Sequence, residues 1–115
     1  MVFLVVEQKK KIIKMTDEIL KFLFQKKAKD INISLSEKED KYELIANSKT
    51  NISDKEMEYI ISNFARHKDL EYDFYWELMG ENSEEDELEL LFILADDVRI
   101  YYENDIFTMI IELKK

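Results

Sequence analysis

INISLSEKEDKYELIA, residues 31–46, is the stretch on which the reading of the fold turns. Ile31, Ile33 and Leu35 alternate with Asn32 and Ser34, and Tyr42, Leu44 and Ala46 take the alternation up again after the polar turn SEKEDK. A period of two puts every second side chain on one side of a pleated ribbon, so the spacing predicts a half-buried hairpin.

Upstream, Ile12, Met15, Ile19 and Leu23 recur at helical spacing, and Ile13, Leu20 and Phe24 widen that stripe. This predicts a first helix running to about Ala28. Ahead of it, the β-branched, apolar run Val2–Val6 reads as a first strand. Downstream, Ser53 with Glu56 three residues on is a capping box, which opens a second helix with Met57, Ile60, Ile61 and Phe64 on one face. The aromatic stretch Leu70–Met79 reads as helix, stopped by Gly80. Ser83 caps a third helix, with Glu84, Glu85 and Asp86 where the helix dipole favours acids. Its centre, LLFILA, is apolar nearly all round and predicts deep burial. Val98–Tyr102 and Phe107–Leu113 read as two closing strands around a turn at Glu103–Asp105.

The order is β–α–β–β–α–(α)–α–β–β, with adjacent strand pairs. It predicts an α+β two-layer sandwich whose mixed or antiparallel sheet carries helices on one face. With no proline, one glycine and no repeat among 115 residues, nothing marks a linker, so residues 1–115 form one domain.

Composition narrows the function classes. Without cysteine there is no disulfide framework and no thiolate metal site, which fits a reducing cytoplasm. The opening MVFLVV has no basic leader or small-residue cleavage site, and Leu90–Ala95 is far short of the ~20 residues that span a bilayer, so no membrane role is expected. The abundance of Lys, Ile, Asn and Glu is the usage of an AT-rich bacterial genome. Residues 1–49 carry eleven Lys against eight acids, a local charge of +3, and residues 50–68 balance at three of each sign. Residues 69–115 hold fifteen acids against three bases, a local charge of −12. Such a surface repels a phosphate backbone, and the short basic run Lys9–Lys14 is a solvated helix face, so no nucleic-acid partner is expected.

Four segments in order resemble the ATP-binding domain shared by sensor histidine kinases and anti-sigma-factor kinases. Glu18–Leu35 is similar to that family's ELLxNAxKHA helix and following strand. Leu44–Ser53 has the length and end pattern of its VxDxGxGI segment. Asp54–Arg66 resembles the next helix, and Glu87–Leu113 looks like GLGLxIVxxLAD followed by two closing strands. The resemblance implies a histidine-kinase-like ATPase fold with a nucleotide cleft, and it implies which positions of this chain would line that cleft.

At those positions the nucleotide-gripping residues are replaced. The magnesium-holding asparagine is matched by Phe22, which offers no oxygen to a hard cation. The adenine-binding aspartate is matched by Asn47, whose amide oxygen still accepts a hydrogen bond. Lys49 and Asn51 stand where glycines let the backbone approach the base. Glu87 and Glu89 replace the GxG pair whose backbone N–H groups cradle phosphates. Each carboxylate at ~4 Å from a phosphate costs about 1 kcal/mol in water and several times more near a protein surface. Glu18 alone survives of the catalytic set, as a relic general base or simply an exposed helix acid. No cofactor or metal is expected.

Other candidates are bland or lie on surfaces. His67, the single histidine, reads as a surface residue at a helix end, and Glu84–Glu89 as a solvated helix start without the alternating oxygens of a calcium site. Tyr72, Tyr75 and Trp76, with Phe74, make the densest aromatic cluster where the family carries its ATP lid. They complete the core or form a partner surface. The leading expectation is therefore a non-catalytic regulatory or interaction module with its ATP site lost, binding another protein or itself. The rivals are a divergent ATP-binding protein or anti-sigma-type serine kinase using Asn47 and Glu18, and a small-ligand binder reusing the emptied pocket.

Overall fold

The structure, a computed structural model, describes residues 2–67 and 88–115, with side chains for 7–62 and 88–115. Helix α1 (Val2–Gln25) leads into strands β1 (Lys29–Glu37) and β2 (Lys41–Lys49) and helix α2 (Asp54–His67). A six-residue helix α3 (Glu89–Leu94) precedes β3 (Asp97–Glu103) and β4 (Ile106–Lys114). The strands form one antiparallel sheet in the order β1-β2-β4-β3. The fold is α+β, with helices on one face of the sheet.

The β1–β2 hairpin lies where alternation placed it, and β3 and β4 lie where the two closing strands were expected. In β2, Tyr42, Leu44, Ala46 and Ser48 are buried while Glu43, Ile45 and Asn47 between them are half-open. β4 repeats the pattern, with Phe107, Met109, Ile111 and Leu113 buried. These strands supply the richest inward rows and take the two inner positions of the sheet. The β3–β4 turn uses Asn104 and Asp105, both at positive φ (52° and 63°). Two left-handed residues match the twist of a tight hairpin, and short Asn and Asp side chains tolerate that region best after glycine.

One prediction needs correcting at the N-terminus. Val2–Val6 is not a strand but the first turns of α1. Nothing in Glu7–Lys11 punctuates the chain, since Glu, Gln and Lys are good helix formers, so the helix propagates through the apolar run by local hydrogen bonds. At its other end α1 stops with Lys27 left-handed (φ 57°). Ala28 N–H donates to the Leu23 carbonyl at 2.9 Å and Lys27 N–H to that of Phe24 at 3.0 Å. These two bonds are a Schellman stop built on lysine in place of glycine.

The capping box forms as predicted. Glu56 N–H donates to Ser53 Oγ at 3.1 Å, and Ser53 N–H to Glu56 Oε1 at 3.3 Å. Ile60 then faces the core, whereas Ile61, expected beside it, is exposed. Residues 70–79, Gly80, Ser83 and the acids Glu84–Asp86 lie outside the described residues. Of the predicted third helix the described part is α3, whose Leu90, Leu91, Phe92 and Leu94 are buried. Its N-cap, Leu88, makes no side-chain capping bond.

The core joins Ile12, Met15, Ile19, Phe22 and Leu23 of α1 to the inward rows of β2 and β4 and to α3. The Phe22 and Phe107 rings sit 5.6 Å apart, tilted by 46°. Edge strand β1 contributes half-buried Ile31 and Ile33, while Leu35 beyond them is exposed. No described helix is long and apolar enough to cross a membrane.

Candidate interaction surfaces

Of the residues singled out for a nucleotide cleft, Phe22 and Asn47 belong to opposite faces of the sheet. Phe22 projects into the core against Phe107. Asn47, flanked in β2 by buried Ala46 and Ser48, belongs to the opposite face of the sheet. Phe22 and Asn47 are therefore not brought together. Lys49 closes β2 and is exposed, as is Asn51 beyond it. Glu89 is half-buried in the first turn of α3. Glu87, Tyr72, Tyr75 and Trp76 lie outside the described residues. His67 is the last residue of α2. Among the described residues, no group of three His, Asp or Glu side chains could hold a metal ion.

Glu18 departs from the exposed helix acid expected of it. It is only 4% exposed, because it falls one turn before Phe22 and beside Ile19 on the inward arc of α1. Spacing predicted the arc, but the polarity of Glu18 hid its membership.

Two apolar residues of α1 also depart from expectation. Ile13 and Phe24, predicted to widen the buried stripe, are 69% and 66% exposed. At 100° per residue they fall opposite Met15, Ile19 and Phe22, with half-buried Leu20 beside them. A single sheet covers only one side of a helix, and α1 has apolar residues on both. Exposed Lys10, Lys14 and Lys21 flank the outward ridge, where Asp17 pairs with Lys21 at 3.1 Å.

The second surface is the face of the sheet turned away from the helices. The strand register sets out its rows. Asn32, Asn47, Thr108 and Tyr101 form one, and Ser34, Ile45, Ile110 and Arg99 the next. Ser36, Glu43, Glu112 and Asp97 follow. Lys49, Ile106 and Glu103 close one end, and Lys41 with Lys114 the other. A chain of ion pairs crosses it: Lys41–Glu112 at 3.0 Å, Glu112–Arg99 at 3.8 Å and Arg99–Asp97 at 3.3 Å. Hydrogen bonds donated to these carboxylates raise the pKa of Lys41 and Arg99 above the ordinary values, Glu112 accepting from the first and Asp97 from the second. No described element lies over this face.

Tyr102 ties the β3–β4 turn to the β2–α2 connection. Its hydroxyl donates to the Thr50 carbonyl at 3.0 Å and accepts from Ile52 N–H at 3.0 Å. Lys26 and Glu56 join the ends of α1 and α2 by a hydrogen-bonded ion pair. That lysine first, and the Ser53 N–H second, hold the Glu56 carboxyl below its ordinary value of 4.5. A depressed acid stabilises the fold above its unfolded pKa and ceases to do so as pH falls through its folded one. Because the pair is partly solvated, the contribution is below about 1 kcal/mol. In thermal melts taken downward from pH 4.5, Glu56→Gln is expected to lose less stability than the parent chain. An identical acid limb would remove the linkage.

Compared with protein-family models, curated proteins and solved structures, the chain matches none. The surfaces must be read from their own chemistry.

Proposed function

We propose that the protein is a non-catalytic interaction module that engages another protein through the outward ridge of α1. One observation carries this reading: Ile13 and Phe24 stand two-thirds exposed on the same side of a helix whose other side is already committed to the core. Solitary exposed apolar residues are ordinary, but two on one ridge, with Leu20 between them, are an anchor pattern. The flanking lysines fit an acidic partner segment and oppose the approach of a second basic α1. The kinase-type resemblance enters as ancestry alone. The reading needs only that Phe22 serves the core and that Asn47 lies on the other face, so that these two line no common cleft.

Two measurements test it. A thermal-shift scan with Mg-ATP, Mg-ADP and ADP is expected to leave the melting midpoint unmoved, whereas saturating binding would raise it by several degrees. Co-purification from the native cell is expected to recover a partner with the parent chain and to lose it with Ile13→Asp combined with Phe24→Asp. A nucleotide-dependent rise in the midpoint, or a partner retained by the double variant, would overturn the reading.

A further inference from the structure

We propose that the face of the sheet over which no described element lies is the interface of a homodimer, in which two copies stack face to face with their β2 strands antiparallel. This rests on the sheet face alone and is independent of the α1 ridge.

Three observations carry it. The first is apolar content. Ile45 and Ile110 are direct cross-strand neighbours on the two inner strands, at the centre of the face. Ile106, 43% exposed, and Tyr101, 53% exposed, extend the patch along β4 and β3. Aromatic and branched side chains packed against one another on a sheet gain most when a second layer removes them from water, as in sheet-on-sheet packing about 10 Å apart.

The second is charge. The chain carries −9 overall, so most pairings of its surface repel. This face is balanced, with four cations (Lys41, Lys49, Arg99, Lys114) against four anions (Glu43, Asp97, Glu103, Glu112). A second copy is the partner certain to carry the same balance.

The third is the order of those charges along the strands. The outward row of β2 runs Lys41, Glu43, Ile45, Asn47, Lys49, with Glu43 and Lys49 equally far from the midpoint between Ile45 and Asn47 and Lys41 lying beyond Glu43. A two-fold axis lying in the interface across the strands sets Lys49 opposite Glu43 of the second copy, and does so twice. Carried to β3 through the register, the same operation sets Tyr101 over Arg99 of the second copy, a cation–π contact. It also brings Glu103 over Asp97, whose charge Arg99 already holds at 3.3 Å. The face measures roughly 19 by 23 Å from strand spacing and rise. That is about 440 Å² per partner in projection, short of the about 600 Å² per partner at the low end of specific interfaces, so the dimer is weak and concentration-dependent.

Sedimentation velocity of the full chain over a wide range of concentration tests this, with thermal melts confirming that each variant folds. The parent chain is expected to shift from monomer to dimer as concentration rises. Lys49→Glu and Glu43→Lys are each expected to weaken the dimer by about tenfold or more, and the double reversal to restore it. The singles move net charge in opposite directions, −9 − 2 = −11 and −9 + 2 = −7, so a general charge effect cannot weaken both. A parent chain that stays monomeric at the highest concentration would overturn the proposal and leave the face to a foreign partner. So would a dimer insensitive to the single reversals, or one the double reversal fails to restore.

Discussion

Phe107→Ala is expected to cost about 3–5 kcal/mol, a large part of the whole stability of a domain this size. Phe107 is 1% exposed and sits on β4, an inner strand of the sheet. Its ring packs on Phe22, and Phe22 lies one helical turn from both Glu18 and Lys26. Truncation would remove the ring's own burial, leave a cavity between α1 and the sheet, and strip Phe22 of its aromatic neighbour. Urea denaturation should report it as a lower midpoint at unchanged slope. A loss below about 1 kcal/mol would mean that α1 and β4 are not packed against each other as described.

Leu23 and Phe24 make the second large effect, and a sharp contrast. Leu23 is fully buried, and its carbonyl also receives the Ala28 N–H that ends α1. Leu23→Ala should cost about 2–5 kcal/mol, while Phe24→Ala, one position on, should stay within about 0.5 kcal/mol. The same pair of urea curves measures both. Equal losses would place Phe24 in a core and withdraw the interaction surface built on it.

Much of the architecture is legible in the residues themselves. Alternation located the β1–β2 hairpin, because a pleat sends successive side chains to opposite faces whatever lies around it. The Ser53–Glu56 box located the start of α2, because its bonds join residues three apart in the chain. The turn at Asn104–Asp105 and the burial of LLFILA were legible for similarly local reasons.

What could not be read was which of several apolar sides of an element would find a partner. Ile13 and Ile19 look alike in a window of sequence, yet one is exposed and the other buried, because the sheet meets α1 along a single line. Val2–Val6 suits a strand by composition and became helix because helical hydrogen bonds come from adjacent turns. Phe22 and Asn47 stand at positions that the resemblance would bring to one cleft but occupy opposite faces, a matter of how α1 crosses β2. Local spacing therefore placed strands β1 to β4, the turn between β3 and β4 and the cap of α2 from residues near one another in the chain. The burial of Glu18, the exposure of Phe24 and the balanced outer face of the sheet arose from contacts between distant segments, whose free energies no local window contains.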